Sequence, residues 1–387
     1  MTDHRLIILG LGGIGSAAAF WASRRLGDSV LAFEQFEAGH SNGGSEDHSR
    51  IIRLSYHTPG YVELAKSAFL TWEQVEVASG EQLVLRTGGL DLAPGGASIG
   101  LDDYRASMTA ARVPFEELTA EEVMRRWPQW KLGDDVSALY QDQSGIAMAS
   151  RANATHRRLA REQGATMIEN VEVTSIQETG AEVEVVAGGT SHRAEKVVIA
   201  AGAWTNRLLA HLGVEFPLEV TQEQVVYLKP TDPLSFHPGR FPIWIWMNEP
   251  SFYGFPIVGE PAVKVAWDRC EIVTDPDHRS FEPRADVNEA VRGFVADHLP
   301  GANGEIYLAK TCLYTLTPDR DFVVDRVPGH QNVFTAVGAG HAFKFASLLG
   351  RILVDLAIDG ATTEDITPFA ADRAILTEVS PARSYMV

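Results

Sequence analysis

A glycine-rich turn between a short strand and a helix is the feature that most limits how this chain can fold. The apolar run Leu6–Leu9 predicts a buried strand. The glycines of a G-x-G-x-x-G motif follow it directly, at Gly10, Gly12 and Gly15. The first glycine permits a tight turn, the second lets backbone amides approach a pyrophosphate, and the third lets helix and strand pack closely. Since the helix N-terminus also offers unpaired N–H groups, the turn predicts a phosphate-binding site.

The residues after the motif complete a β-α-β unit. Small and apolar residues predict a helix from Gly13 to Arg25, and Gly27 is placed to end it in a left-handed conformation. Val30–Phe33 predicts the next strand, with Glu34 at its end. A carboxylate there can accept hydrogen bonds from ribose hydroxyls and would repel a 2′-phosphate. The unit therefore predicts an adenine dinucleotide, and by itself it leaves FAD and NAD open.

Length and composition indicate a folded protein of more than one domain. The 387 residues suffice for about two domains, and 45% hydrophobic residues allow large buried cores. A formal net charge of −18 argues against nucleic acid or an anionic membrane as partner. Two cysteines, Cys270 and Cys312, exclude a disulfide framework and favour a reducing, cytoplasmic environment. We predict no membrane span, because no other segment approaches about 20 apolar residues, and no metal site.

The order of strand and helix patterns predicts two interleaved α/β domains. After the first unit come further α/β patterns, a β-rich stretch from Pro217 and a last strand, turn and helix ended by Gly360. We predict a first domain from residues 1–85, 145–216 and 320–387, and a second, α+β domain on a mixed or antiparallel sheet from 86–144 and 217–319.

Two arginines follow a polar, glycine-rich loop. Arg50 and Arg53 enclose two isoleucines, and a helical turn would put both guanidinium groups on one side. By themselves they are better explained as a pair of surface arginines.

Eight short motifs occur in a fixed order over nearly the full length. Besides the glycine motif they are SerArgIleIleArg at 49–53, ArgTrpPro at 126–128, AlaGlyAlaTrp at 201–204, TyrGlyPhePro at 253–256, Lys264, ThrCysLeuTyrThr at 311–315 and GlyHisAlaPheLysPhe at 340–345. This set resembles the monomeric sarcosine oxidase and N-methyltryptophan oxidase family of D-amino-acid-oxidase-like flavoproteins. The resemblance implies FAD as the dinucleotide and a Rossmann-type FAD-binding domain interleaved with a substrate domain.

The resemblance also implies how the cofactor is held. Cys312 matches a cysteine joined through a thioether to the flavin 8α-methyl group, whereas Cys270 matches no such residue and is interpreted as structural. Arg50 matches a residue that lies against the flavin ring. Gly340 and His341 would face the N1–C2=O edge, where donors stabilise the charge of reduced flavin. The other positions expected to contact FAD are Gly10, Gly12, Gly15, Glu34, Ser49, Val173, Gly202, Trp204 and Lys344.

The resemblance assigns Arg53 and Lys344 to the substrate carboxylate. A guanidinium group can grip a carboxylate with two parallel hydrogen bonds, and an ammonium adds a point charge. Tyr253 and Tyr314 would border the substrate cavity. Lys264 would serve the oxygen reaction, since a cation about 4 Å from superoxide at an effective dielectric constant of about 20 stabilises it by about 4 kcal/mol. That energy corresponds to roughly a thousandfold in rate, which favours an oxidase over a dehydrogenase.

Departures from the family pattern concern the substrate. Asp268 stands where members active on sarcosine have a histidine, Glu46 stands at the place of a second histidine, and His48 is unmatched; we therefore expect sarcosine to be a poor substrate. Trp244 and Trp246 share one face of a predicted strand. They either fill the core or form a wider aromatic site for a larger or cationic amine. Asp268 is counted among the candidate catalytic residues.

These patterns together predict an FAD-dependent oxidase of a secondary or N-methylated amino acid. In the implied reaction a hydride passes from the carbon next to nitrogen to flavin N5, and the resulting imine hydrolyses. O2 then takes the two electrons from the reduced flavin and is released as hydrogen peroxide. The partners are then a small-molecule amine and O2, and the protein is expected to be a monomer. Three alternatives stay open: a dehydrogenase of the same fold that uses an electron carrier, an NAD-dependent dehydrogenase, and a flavoprotein subunit without activity of its own.

Overall fold

The computed structural model describes residues 3–270 and 272–378. In chain order the strands are β1 (His4–Leu9), β2 (Val30–Phe33), β3 (Arg50–Ile52), β4 (Val84–Arg86), β5 (Gly89–Ala93), β6 (Glu116–Thr119), β7 (Ser137–Gln141), β8 (Gly145–Ala147), β9 (Thr166–Ile168), β10 (Val173–Thr179), β11 (Glu182–Ala187), β12 (Thr190–Ile199), β13 (Glu219–Leu228), β14 (Ile243–Trp246), β15 (Ser251–Phe255), β16 (Val263–Asp268), β17 (Ile272–Val273), β18 (Ile306–Leu316), β19 (Val323–Arg326) and β20 (Val333–Val337). The α-helices are α1 (Gly13–Leu26), α2 (Pro59–Ser79), α3 (Asp102–Ala110), α4 (Ala120–Arg126), α5 (Ala149–Glu162), α6 (Thr205–Leu209), α7 (Ala285–His298) and α8 (Ala346–Asp359).

The first large sheet contains the predicted dinucleotide unit. Its strands follow the order β10-β11-β12-β1-β2-β9, and β20 and then β19 continue from β12. The central strands β1, β2, β12, β20 and β9 pair in parallel, because each is followed by a connection that returns the chain over the sheet. This is the Rossmann-type arrangement that the glycine motif predicts.

Helix α1 begins directly at the glycine turn and packs against α5 and α8. Its small residues Ala17, Ala18 and Ala19 are fully buried, and a side chain at Gly350 of α8 would lie 2.5 Å from the Ala18 backbone. The small residues that predicted helix α1 therefore also allow it to pack closely against α8. It ends at Leu26, one residue later than predicted, with Gly27 at φ 58°.

The second large sheet is mainly antiparallel and lies on the other side of the cavity described below. Its order is β17-β13-β16-β15-β14-β5-β7-β6, with β18 beside β13, and β14 pairs with β5 in parallel. A small third sheet joins β3, β8 and β4. The α/β fold class with a mixed second sheet is thus confirmed. The first sheet takes its strands from residues 4–33, 166–199 and 323–337 and the second from 89–141 and 219–316, while the domain boundaries stay a prediction.

Two sequence predictions about this region are wrong. Arg50 begins strand β3 and not a helical turn, because the β-branched Ile51 and Ile52 pair with β8 and are buried. Trp244 and Trp246 fill the core instead of lining a binding site. Both pack on Phe294 of α7, at ring-centroid distances of 5.4 Å.

The patterns also missed several short strands, among them β3, β6, β7 and β11, whose pairing depends on distant partners. Over residues 3–270 and 272–378, the helices are too short or too polar to span a bilayer.

Candidate active site

A cavity of about 740 Å³ runs from the glycine turn to the face of the second sheet. The predicted site residues that line it are Gly10, Gly12, Glu34, Arg50, Arg53, Val173, Gly202, Trp204, Tyr253, Lys264, Asp268, Cys312, Tyr314, Gly340, His341 and Lys344. Residues far apart in the chain are therefore brought to one space between the two large sheets. The described part of the chain contains no cluster of His, Cys, Asp or Glu suited to a metal ion.

Four predicted site residues do not line this cavity, namely Gly15, Ser49, Trp244 and Trp246. Gly15 lets helix α1 pack closely against the glycine turn, since a Cβ atom at this position would lie 1.9 Å from the Gly10 carbonyl oxygen. Ser49 is buried behind the lining and uses its carbonyl oxygen to hold Lys264 Nζ at 2.9 Å. The two tryptophans belong to the core, and their strand neighbours Ile245 and Met247 face the cavity instead.

The glycine end of the cavity fits an adenine dinucleotide. Gly10 adopts φ 97°, which brings the turn close to Ala200. The Glu34 carboxylate accepts hydrogen bonds from the backbone N–H groups of Leu11 at 2.8 Å and Phe36 at 3.1 Å. Burial opposes ionisation, but hydrogen bonds from His40 and Leu11 lower the pKa of Glu34. An ionised acid held at this position can accept ribose hydroxyls.

Arg50 holds the loop between the glycine end and the second sheet. Its guanidinium donates to the carbonyl oxygens of Ser49 at 2.8 Å, Gly44 at 2.8 Å and Glu46 at 2.9 Å. These acceptors are uncharged, and Arg50 Nη1 also lies 3.8 Å from the Asp47 carboxylate, so the arginine brings a positive charge to the lining of the cavity. Burial opposes that charge, and the nearby Asp47 raises the pKa of Arg50.

Asp47 is a functional residue that the sequence patterns missed. Its carboxylate accepts from Lys264 Nζ at 2.6 Å and from the Tyr227 hydroxyl at 2.8 Å, and it lies 3.3 Å from Lys310 Nζ. Burial opposes the charge, yet Lys264 and Arg50 hold the pKa of Asp47 far below its ordinary value. In the sequence it stands in a polar loop beside Glu46 and His48, where nothing distinguishes it from surface residues.

The predicted oxygen-reactive lysine is buried and paired. Lys264 lies on β16, and burial lowers its pKa to about 8, with Asp47 opposing and Arg50 adding to the shift. The Asp47 carboxylate therefore helps to keep Lys264 protonated at neutral pH.

The two cysteines differ in their surroundings. Cys312 lies on β18 opposite Glu223 and lines the cavity, whereas Cys270 follows β16 and is not part of the lining. Burial raises the pKa of the Cys312 thiol, and the charge of Arg50 opposes that rise. The structure thus places Cys312 where a cofactor can reach it.

The predicted carboxylate site contains a second ion pair. Arg53 Nη1 donates to Asp91 at 3.1 Å, and Ser55 also donates to this aspartate. Lys344 Nζ lies 5.7 Å from the Tyr56 ring centroid. Burial and the neighbouring Arg53 lower the pKa of Lys344 to about 7, so this ammonium would be stabilised by an anionic ligand.

Tyr253, Tyr314 and Asp268 form a linked group in the lining of the cavity. The two hydroxyl oxygens are 3.4 Å apart, and the Tyr314 hydroxyl lies 3.5 Å from Asp268 Oδ1. Burial raises the pKa of both tyrosines, which keeps the phenols neutral.

Glu46, at the place of a family histidine, and the unmatched His48 also line the cavity. Asn153 donates to Glu46 at 2.9 Å, and His48 Nε2 donates to Glu260 at 2.9 Å. Arg320, which the sequence analysis did not select, also lines the cavity.

Comparisons with known proteins agree with this geometry. Residues 5–356 match the family model described as FAD dependent oxidoreductase. The chain is 34% identical to the monomeric sarcosine oxidase of Streptomyces avermitilis, over 95% of this chain and 96% of that protein. It is 30% identical to the N-methyl-L-tryptophan oxidase of Salmonella agona, over 96% of this chain and 99% of that protein. A solved structure of NikD, an unusual amino acid oxidase essential for nikkomycin biosynthesis, has a TM-score of 0.84 at 25% identity and covers 98% of this chain and 100% of that one. The family predicted from the short motifs is thereby confirmed, and the chain belongs to the FAD-dependent oxidoreductase family.

Proposed function

We propose that this protein is an FAD-dependent oxidase of a secondary or N-methylated amino acid, with O2 as acceptor and hydrogen peroxide as product. One observation carries the proposal: Lys264, Cys312, Arg53 and Lys344 line the same cavity as the glycine turn. The named activities of the sarcosine and N-methyl-L-tryptophan oxidase relatives support the substrate class. We further assign the discontinuous segments 1–85, 145–216 and 320–387 to the FAD-binding domain.

The residues present fit FAD along the whole cavity. Glu34 and the glycine turn would hold the adenosine and pyrophosphate, and Arg50 would lie beside the flavin ring. FAD, when bound, supplies the oxidant that takes two electrons from the amine and gives them to oxygen. Cys312 is the cysteine of the described lining, and we propose it as the site of covalent attachment.

Arg53 and Lys344 would hold the substrate carboxylate. Asp91 fixes one edge of the Arg53 guanidinium, which limits the orientations of the remaining N–H groups. Tyr253 and Tyr314 contribute neutral phenols to the lining, and Asp268 offers a negative charge for the amine nitrogen. The substrate would thus be oriented by its two ends before oxidation.

Lys264 would provide the positive charge for the oxygen reaction. Its ammonium is buried and contacts Asp47 and Ser49, so its position is fixed. A cation in a dry site stabilises developing negative charge more strongly than one in water.

One observation favours the alternative of a dehydrogenase that hands electrons to a carrier. The Asp47 carboxylate neutralises part of the Lys264 charge, which would weaken its effect on oxygen. Oxygen reactivity therefore decides between the two functions.

The test uses the purified holoprotein, which we expect to be yellow. N-methylated, cyclic, and D- or L-amino acids are screened anaerobically for flavin bleaching, and each active compound is then followed in air for hydrogen peroxide. An oxidase reoxidises rapidly and forms one peroxide per amine; slow reoxidation with fast bleaching supports the dehydrogenase. A colourless protein that takes up no flavin would refute both.

A further inference from the structure

Arg320 is a buried cation in the lining of the cavity. Its side chain is 4% exposed and lines the cavity. The buried Nε and Nη1 atoms have no hydrogen-bond partner among the described residues. Leaving such donors unpaired is costly, and the same guanidinium borders the cavity, where an acceptor can approach it.

The loop around Arg320 is held firmly by its neighbours. Asp319 accepts two hydrogen bonds from Arg373, at 2.7 and 2.9 Å, and Asp321 accepts from the Tyr61 hydroxyl at 2.7 Å. His341 Nε2 donates to the Arg320 carbonyl oxygen at 2.8 Å. Arg320 itself adopts φ 65°, an unusual conformation for a non-glycine residue. The side chain is therefore presented by a rigid turn and not by a mobile loop.

Arg320 shares one end of the cavity with Lys344. Burial lowers the pKa of both Lys344 and His341, and the positive charge of Arg320 adds to both shifts. Lys344 Nζ likewise has no hydrogen bond or ion pair among the described residues, apart from its contact with the Tyr56 ring. Two cations, Arg320 and Lys344, thus border this end of the cavity.

The charged residues of the described lining leave an excess of positive charge at the end of the cavity that holds Lys344 and Arg320. Arg53 is balanced by Asp91, and the lining carboxylate near Lys344 and Arg320 is that of Asp268. Glu223 also acts on Arg320, but it lies behind the lining, where its carboxylate accepts from Thr221 at 2.6 Å and from Cys270 N at 2.7 Å.

An amino acid with one carboxylate is a zwitterion and leaves this positive excess in place. An amino acid with two carboxylates carries a net negative charge and would neutralise it.

We propose that Arg320 binds a second acidic group of the substrate, and that the preferred substrates are N-methylated or N-alkylated amino acids with an acidic side chain. This inference rests on the proposed function and names its substrate class. Arg53 and Lys344 hold the α-carboxylate of the substrate, and Arg320 holds the side-chain carboxylate. Arginine suits this role because its planar donors match a carboxylate in pairs.

The experiment compares N-methyl-glutamate with N-methyl-glutamine, which have nearly the same shape and differ in one charge. Rates of anaerobic flavin reduction are measured for both compounds and both enantiomers with the holoprotein. We expect at least a tenfold higher kcat/KM for the acid. Arg320→Gln should remove this preference, while the rate with the amide changes less than threefold. Arg320→Lys should restore part of the preference.

Arg326→Gln serves as the matched control, because Arg326 lies six positions away on the exposed surface of β19. It should keep the preference for the acid. Equal rates for acid and amide in the unaltered protein would overturn the inference, as would equal losses for both in Arg320→Gln. Reduction of the flavin by other N-methyl amino acids would leave the proposed function standing in either case. If no amine reduces the flavin, the proposed function itself fails.

Discussion

The ammonium of Lys264 lies 2.6 Å from the carboxylate of Asp47, and both side chains are buried. The two residues come from different parts of the chain, a loop before β3 and the strand β16. The pair sets both the position and the protonation of the lysine that we assign to the oxygen reaction. Its consequences can be measured separately from substrate oxidation.

Replacing Lys264 by Met should slow reoxidation of the flavin by O2. Loss of a buried cation near the reacting oxygen removes about 4 kcal/mol of stabilisation, or roughly a thousandfold in rate if fully expressed. Anaerobic reduction by substrate should change less than tenfold. Stopped-flow absorbance measures both half-reactions.

Lys310→Met is the control for this variant, since Lys310 approaches the same Asp47 carboxylate from a more exposed position. Its effect on reoxidation should be at least tenfold smaller. Equal losses in both half-reactions of Lys264→Met would contradict the assigned role.

The rate of reoxidation should decrease as pH rises through about 8, the pKa of Lys264 in the folded protein. Burial lowers this pKa and the Asp47 carboxylate raises it, so Asp47→Asn should move the decrease to lower pH. The pH profile of the oxygen half-reaction, measured from pH 6 to 10, shows the displacement. A profile that is unchanged in Asp47→Asn would show that the ion pair does not control Lys264.

Binding of a simple carboxylate should weaken as pH rises through about 7, the pKa of Lys344. The protonated ammonium attracts the anion, and above this pH a growing fraction is neutral; each further unit costs up to about tenfold in affinity. Propionate is a suitable probe because it has no amine that titrates. Perturbation of the flavin spectrum gives Kd. In Lys344→Met the binding of propionate should be weaker, and Kd should be independent of pH between 6 and 8.5.

Trp244→Ala should destabilise the fold by about 3–5 kcal/mol, the usual effect of removing a large buried aromatic side chain. Trp244 is 1% exposed, stacks on Phe294 and meets Trp130 edge to face at 5.2 Å. Urea unfolding measures the change, with Leu70→Ala at an exposed position as the control expected within about 0.5 kcal/mol of the parent. If Trp244→Ala altered the selectivity among amines without a loss of stability, the assignment of Trp244 to the core would be contradicted.

Cys312→Ser should release the flavin on acid precipitation, whereas the unaltered protein should keep its yellow colour in the pellet. Cys312 lines the cavity and Cys270 does not, so Cys270→Ser should retain the colour. Free FAD released from the unaltered protein would exclude the covalent bond and leave the fold and the reaction untouched.

Local patterns were sufficient for much of the fold. The strand Leu6–Leu9, the glycine turn and helix α1 form from contiguous residues, whose spacing alone determines a tight turn and close packing. For the same reason a β-rich stretch could be predicted from Pro217 onward, and strand β13 begins there at Glu219. Strand β3 was assigned to a helical turn, because a spacing of three residues fits a helix as well as a short strand with distant partners.

Motifs in a fixed order were likewise sufficient for the family and for most of the residues that line the cavity. They could not decide which face of a strand meets the cavity. Trp244 and Trp246 share a face in any strand, and only packing against Phe294 shows that this face is the core.

Asp47 and Arg320 needed the tertiary structure, since each stands among other charged residues of a polar loop and nothing in the local sequence distinguishes it. Their roles arise from positions reached across the molecule: Asp47 meets Lys264 over 217 positions of the chain, and Arg320 lines the same cavity as Lys344. By itself the sequence determined the dinucleotide unit, the family and the residue types of the site, since these depend on local spacing. Only the fold decided which charges are buried together, because burial and distance govern how strongly charged groups interact.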